Sequence, residues 1–180
     1  MNKSYIRKRI INLRKKNHSN HEVNAIKVIK LIKKNSIKSK KVGVYYPSNN
    51  EISTINLIKL LIKKNFSVSL PVVKEKSKLL FYSWNLYDPL KLNKYGIPEP
   101  VRKKLIEPNI LVIPIVAFDK NLNRIGYGGG YYDRFIQKIE RKFKCLKIGL
   151  ALSFQEVKKI PINKYDKKMD LIITEKKIYK

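Results

Sequence analysis

The stretch NRIGYGGGYYDRF (Asn123 to Phe135) sets Gly126, Gly128, Gly129 and Gly130 between two arginines, Arg124 and Arg134, with the carboxylate of Asp133 close behind. Bare backbone lets N–H groups approach an anion closely, guanidinium forks grip its oxygens in pairs, and a hard carboxylate suits magnesium. These are the parts of a phosphate cradle. The whole chain has seven glycines in 180 residues, so their crowding here is a local feature. Two standard cradles fail nonetheless. The dinucleotide pattern G-x-G-x-x-G needs glycine where Tyr131 stands, and the Walker A pattern needs Lys-Ser/Thr after its last glycine. Spacing alone leaves a nucleotide loop and a tight structural turn both open.

Such a loop must be held by regular elements. ILVIPIVAF (Ile110 to Phe118) is apolar almost without interruption, as befits a central strand covered on both faces, and Phe135, Ile136, Ile139 and Phe143 mark a helix beyond the glycines. Other β-rich runs are VGVYY (Val42 to Tyr46), ended by Pro47, SVSLPVV (Ser67 to Val73), KLLFYSW (Lys78 to Trp84), KIGLAL (Lys147 to Leu152) and DLIIT (Asp170 to Thr174). Helical spacing relates Ile6, Ile10 and Leu13; then Val23, Ile26, Ile29, Leu31 and Ile32; then Ile55, Ile58, Leu61 and Ile62. The pattern predicts an α/β chain forming a single domain over residues 1–180, with a largely parallel, Rossmann-like central sheet flanked by helices. The glycine stretch then falls at the carboxyl end of a strand, where such sheets bind ligands. The proline-rich YGIPEPVRKKLIEP (Tyr95 to Pro108) reads as a surface excursion within the domain.

Composition narrows the function classes. A formal charge of +28 invites a nucleic-acid reading, but lysine outnumbers arginine 34 to 7 and its pairs recur along the whole chain, from Lys15-Lys16 through Lys103-Lys104 to Lys176-Lys177. Scattered lysines read as solvated surface, so no specific nucleic-acid partner is expected. No stretch approaches the roughly 20 apolar residues of a membrane span, and the charged start lacks the apolar run of a signal peptide, which predicts a cytosolic protein. A monomer is the expectation. The single Cys145 reads as a buried, inert thiol, and His18 and His21 have no Cys or carboxylate companions for zinc. No Ser-His-Asp arrangement or paired catalytic carboxylates emerges.

RIGYGGGYYDR resembles the signature of the 5-formyltetrahydrofolate cyclo-ligase family, and other segments resemble the family in order: Lys3-x-x-x-Arg7, YYPSNNEIST (Tyr45 to Thr54), FYSWNLYDPL, YGIPEP and PINKYDKKMDLIIT (Pro161 to Thr174). The resemblance is nearly full length. It implies ATP-driven closure of 5-formyltetrahydrofolate to 5,10-methenyltetrahydrofolate with release of ADP and phosphate, and a requirement for Mg2+. Phosphorylation of the formyl oxygen turns a poor leaving group into a good one, and the substrate's own N10 attacks. The resemblance further implies that Lys3, Arg7 and the run Arg124, Ile125, Gly126, Tyr127, Gly128, Gly129, Gly130, Tyr131 and Tyr132 surround ATP, with Arg134 as a further clamp. Asp133 and Asp166 are the magnesium acids it implies, although a helix N-terminal acid is the other reading of Asp133. Glu51 takes the place of the acid that meets the pterin, a solvated helix-capping acid being its other reading, with Tyr46 nearby; Tyr127, Tyr131 and Trp84 offer flat faces to the substrate's rings or else belong to the core. Some relatives carry a basic residue where this chain has Gly129, which throws more weight on Arg124 and Arg134.

Overall fold

Successive side chains of a strand point to opposite faces, and the segment β7 (Ile110–Pro114) shows what each face meets. Ile110 and Val112 join a core shared with α2 (Ala25–Lys34) and α3 (Ile55–Lys63), whereas Leu111 and Ile113 join a second core with Phe135, Ile136 and Ile139 of α4 (Tyr131–Glu140). Helices therefore cover both faces. In this computed structural model residues 2–17, 21–35, 40–74, 78–94, 96–102 and 104–180 are described; His18, Tyr95 and Lys103 of the motifs above lie outside them.

Beside β7 lie β1 (Lys41–Val44) on one side and β10 (Leu146–Leu150) on the other, both parallel to it; β2 (Ser67–Lys74) extends the sheet parallel to β1, and β11 (Leu171–Ile173) extends it parallel to β10. Antiparallel strands close the edges: β12 (Ile178–Tyr179) beyond β11, and β3 (Lys78–Ser83) followed by β6 (Leu105–Ile106) beyond β2. Among the described residues the sheet order is β12-β11-β10-β7-β1-β2-β3-β6. This is the largely parallel α/β sheet that the strand patterns predict. After β1 the chain builds outward to one side, and with β7 it returns and builds to the other. The β1/β7 boundary is thus a topological switch point, where parallel sheets open a crevice.

Each helix is set by local chemistry as well as packing. Asn2 caps α1 (Lys3–Lys16) by accepting from Tyr5 N at 2.9 Å, and Asn24 caps α2 by accepting from Lys27 N at 3.0 Å. In α3, Leu57, Ile58 and Leu61 are fully enclosed, each worth about 1.5–3 kcal/mol of burial. The second apolar stripe differs from expectation at Ile26, which is 61% exposed, while Val28 turns inward. Residues 28, 29, 31 and 32 keep one face, and Ile26 lies off it.

ILVIPIVAF is not one strand. Pro114, which has no N–H for a further ladder bond, ends β7, and the chain turns into β8 (Ala117–Phe118), which pairs antiparallel with β9 (Arg124–Ile125). The carbonyls of Ile115 and Val116 accept from Gln155 Nε2 at 2.6 and 2.8 Å, so the buried break is satisfied. α1 packs Ile6 and Ile10 against Val116, Ala117, Ile125 and Ile160. The hairpin leads directly into the glycine stretch. The proline-rich segment also departs from a plain surface excursion: β4 (Leu90–Leu92) pairs with β5 (Pro98–Pro100), and Glu99 is buried. Apolar prolines and a bonded acid give this hairpin an inner side.

Candidate active site

A cavity of about 960 Å³ opens over the β1/β7 switch point. One wall is the glycine stretch, another is the turn after β1, and Lys3 and Arg7 of α1 complete the rim. Gly128 and Gly130 have φ of +104° and +63°, a region side chains rarely adopt. Gly126 has no such demand, and a Cβ there would meet no atom within 4 Å. The protein itself does not fill that space. Gly130 caps α4 without a side-chain hydrogen bond, so the helix N-terminus presents its amides and positive dipole end to the cavity that Gly130 and Tyr131 line.

Charged side chains around the loop are already paired. Arg124, with a side chain 5% exposed, donates to Asp133 Oδ1 at 2.9 Å and to the Lys167 carbonyl at 2.5 Å. Asp133 Oδ1 also accepts from Lys167 N at 3.0 Å. Arg124 therefore fixes the loop to the C-terminal segment, a more structural position than a guanidinium wrapped on phosphate. Arg7 Nε donates to the Gly126 carbonyl at 2.8 Å and its guanidinium lies against Gly128. Lys3 Nζ pairs with Asp166 Oδ2 at 2.5 Å, and Asn163 N donates to the same oxygen at 2.7 Å. Arg134 donates to the Gly129 carbonyl at 2.6 Å and stands 5.5 Å from the centroid of the Tyr131 ring. Ile125 is buried under the loop.

At the other end, left-handed Asn49 and Asn50 make a tight turn in which Glu51 N donates to Ser48 O and Ser48 N donates back to Glu51 Oε2 at 3.0 Å. Tyr45 Oη donates to Ile52 O, and Thr54 Oγ1 donates to Tyr45 O, which locks the turn to the end of β1. Glu51 Oε1 then accepts from Tyr127 Oη at 2.8 Å across the cavity. Loss of water raises the Glu51 carboxyl above its ordinary range, against the pull of the Tyr127 and Ser48 hydrogen bonds and the Arg14 charge. Burial first, and the Glu51 carboxylate second, raise the phenols of Tyr127 and Tyr132. The Tyr132 hydroxyl is buried with no hydrogen-bond partner among the described residues, at a residue that lines the cavity.

Of the site residues that the family resemblance implies, all but Trp84 line this cavity. Trp84 is 6% exposed, donates Nε1 to Asp88 O at 3.1 Å and meets the cavity residue Tyr46 edge-on at 6.1 Å. It supports the wall from behind. Sequence reasoning missed Glu99, whose Oε1 accepts from Val73 N at 3.3 Å and Asn93 Nδ2 at 2.8 Å beside the cavity, and Arg14, which bonds Tyr127. The signal for Arg14 was present: it follows Ile6 and Ile10 at the next four-residue step, a cation on a buried stripe. Cys145 is buried, and desolvation pushes its thiol up to about 12, as an inert core cysteine requires.

Among the described residues no three His, Cys, Asp or Glu side chains cluster as a metal cage. Asp133 and Asp166, both partly open and both lining the cavity, still suit magnesium, which takes one or two carboxylates and completes its shell with water and phosphate oxygens. Nor is any helix among the described residues long and apolar enough to cross a membrane.

Uncapped amides, a bare loop and ringed cations at a sheet's switch point define an α/β protein of the kind that takes a phosphate-bearing anion. Known proteins narrow that class. The chain belongs to the 5-formyltetrahydrofolate cyclo-ligase family, whose model matches residues 1–175. A 5-formyltetrahydrofolate cyclo-ligase of Haemophilus influenzae is 36% identical over 135 residues, covering 71% of this chain and 72% of the relative. The solved 5,10-methenyltetrahydrofolate synthetase of Aquifex aeolicus matches with TM-score 0.77 and 33% identity over 99% of this chain and 92% of that one. The 5,10-methenyltetrahydrofolate synthetase of Mycoplasma pneumoniae matches with TM-score 0.70 and 26% identity, covering 96% and 98%.

Proposed function

We propose that this chain, as one domain over residues 1–180 and as a monomer, uses ATP and magnesium to close 5-formyltetrahydrofolate to 5,10-methenyltetrahydrofolate, releasing ADP and phosphate. The observation that carries the reading is the continuity of the cavity: the glycine loop and Glu51 line one space of about 960 Å³, the upper end of the range for ligand pockets and a size suited to two substrates side by side.

The phosphate chain lies along Gly126 to Gly130 and the α4 amides, with Lys3, Arg7 and Arg134 at its rim. Asp133 and Asp166 would hold magnesium, which would supply charge neutralisation at the phosphates. Phosphoryl transfer needs such positioning more than it needs a covalent nucleophile. Glu51, and near it the Tyr132 hydroxyl, which has no partner among the described residues, meet the polar edge of the pterin, while Tyr46, Tyr127 and Tyr131 border its rings. The formyl oxygen takes the γ-phosphoryl group; N10 then attacks the formyl carbon, loses its proton, and the C–O bond breaks to free phosphate. Pro71, Val73, Leu79 and Ile97 supply an apolar wall that keeps water from the activated carbon.

Purified protein given ATP, magnesium and 5-formyltetrahydrofolate is expected to produce the methenyl-folate absorbance band, with no band when ATP is withheld. A folded preparation that yields none, beside a working control enzyme, overturns the reading.

A further inference from the structure

Arg14 is 2% exposed, deeper than any role on a solvated helix face allows. Its Nη2 donates to Tyr127 Oη, its Cζ stands 5.6 Å from the Tyr127 ring centroid, and its Nε has no partner among the described residues. A buried guanidinium costs several kcal/mol unless paired. A neutral hydroxyl and a ring face compensate such a charge poorly, but the same hydroxyl donates onward to Glu51 Oε1 at 2.8 Å. The counter-charge is one phenol away. The three groups form a relay, guanidinium to hydroxyl to carboxylate, that runs from α1 through the glycine loop to the turn after β1.

Resting on the assignment of Glu51 to the folate, we propose that Arg14 is a positioning residue for folate binding, which acts through the Tyr127 hydroxyl to fix the Glu51 carboxylate in place and to supply its counter-charge. α1 then serves both substrates, since Lys3 and Arg7 stand at the glycine loop and Arg14 governs the far end. The arrangement has a pH signature. The groups acting on Glu51 are Tyr127 from the loop, Ser48 from its own turn and Arg14 from α1, while it faces the phenols of Tyr45 after β1 and Tyr132 on α4. Burial pushes both of those phenols upward, so they stay neutral at working pH. Removing Arg14 takes away a charge that favours the carboxylate, so Glu51 keeps its proton to higher pH.

The test uses the full chain with Arg14→Met, Arg14→Lys and Tyr127→Phe. For Arg14→Met, KM for 5-formyltetrahydrofolate and its Kd measured calorimetrically without ATP are expected to rise about tenfold, as loss of a hydrogen-bonded charge implies, while KM for ATP holds. The acid limb of kcat/KM for the folate moves to higher pH, and Arg14→Lys restores part of both effects. In a Glu51→Gln background Arg14→Met adds little. Parallel rises in both KM values, an unmoved acid limb, or an undiminished effect in the Glu51→Gln background each overturn the proposal. Should Arg14→Met fail to fold, Tyr127→Phe, at a residue 44% exposed, must show the same KM split and the same acid-limb shift, and its failure to do so also overturns it. An inactive parent protein refutes the reaction itself; an active parent with indifferent variants refutes the relay alone.

Discussion

The two ends of the cavity manage charge in opposite ways. At the glycine loop, opposite charges already neutralise one another: Arg124 with Asp133, and Lys3 with Asp166. At the turn after β1, Glu51 is held by a phenol and backbone N–H, stripped of enough water that its carboxyl titrates above the ordinary range. The partly open Lys3–Asp166 pair is ready to exchange partners with a highly charged ligand and its metal, while the buried Arg124 holds the loop in place. The turn after β1 stores an unfavourable charge that a hydrogen-bond donor on a ligand relieves. A phosphate site thus benefits from ion pairs that open, and a site for a neutral heterocycle benefits from one ion kept waiting.

Asp133→Asn breaks the comparison hardest. Asparagine still accepts from Lys167 N, yet it deprives Arg124 of its counter-charge and, on the proposed function, magnesium of a carboxylate. Turnover at saturating ATP is expected to fall about 10²–10³-fold, the cost of losing one preorganised charge at a reacting centre. Stability is expected to fall by about 1–3 kcal/mol, because the Arg124 charge stays buried. Denaturant titration and single-turnover rates separate the two. Lost stability with retained turnover makes Asp133 merely the partner of Arg124.

Glu51→Gln tests the other end, with the opposite sign for stability. The Glu51 pKa is raised in the folded protein, so the native state binds its proton more tightly than the unfolded chain does. Its contribution is fully present below the unfolded pKa of about 4.3 and is lost as pH rises through the folded value. Glutamine carries no charge to desolvate. The variant's thermal midpoint is therefore expected to gain on the parent's as pH rises from about 4 through the raised folded value, while KM for the folate rises. A difference that is flat with pH shows that Glu51 is not the stored charge.

The same contrast explains what was legible in the sequence. Gly126, Gly128, Gly129, Gly130 and Asp133 lie within eight residues, so their crowding is visible in the sequence, although spacing alone leaves a nucleotide loop and a structural turn both open; the almost unbroken apolar run that places β7 between two helical layers is visible too. Glu51 was legible through its resemblance to a family segment, but its bond to Tyr127 spans 76 positions, and nothing local in the chain announces it. Arg14 lies farther still from its partner, 113 positions away. Its buried place could be read from the Ile6–Ile10 step, its purpose could not. Arg124 shows the same limit: an arginine beside a glycine loop reads as a phosphate ligand, and its bonds to the carbonyl of Lys167 and the carboxylate of Asp133 are not announced by the chain around it. Trp84 looked equally suited to a ligand face or the core, and only packing decides between these.

The smallest expected effect on stability comes from Lys3→Met, and it sharpens the claim that ion pairs at the glycine loop are made to open. The side chains of Lys3 and Asp166 are 27% and 24% exposed, so water screens much of their attraction. Pairs of this kind contribute about 0–1 kcal/mol, which for a chain of this length moves the thermal midpoint by at most about 4 °C. Arg124 is different, since its side chain is 5% exposed and its bonds tie two segments together. If Lys3 leaves Asp166 for a phosphate when ATP binds, Lys3→Met raises KM for ATP about tenfold, the effect of losing one charge-assisted hydrogen bond, while the melt of the unliganded protein barely moves and KM for the folate holds. Asp166→Asn then gives the complementary result: the melt is again nearly unchanged, and the magnesium dependence of turnover weakens. A large loss of stability in Lys3→Met with unchanged KM for ATP means that Lys3 ties α1 to the C-terminal segment as Arg124 ties the loop. The nucleotide end is then a fixed scaffold of salt bridges, and the difference between the two ends is one of degree.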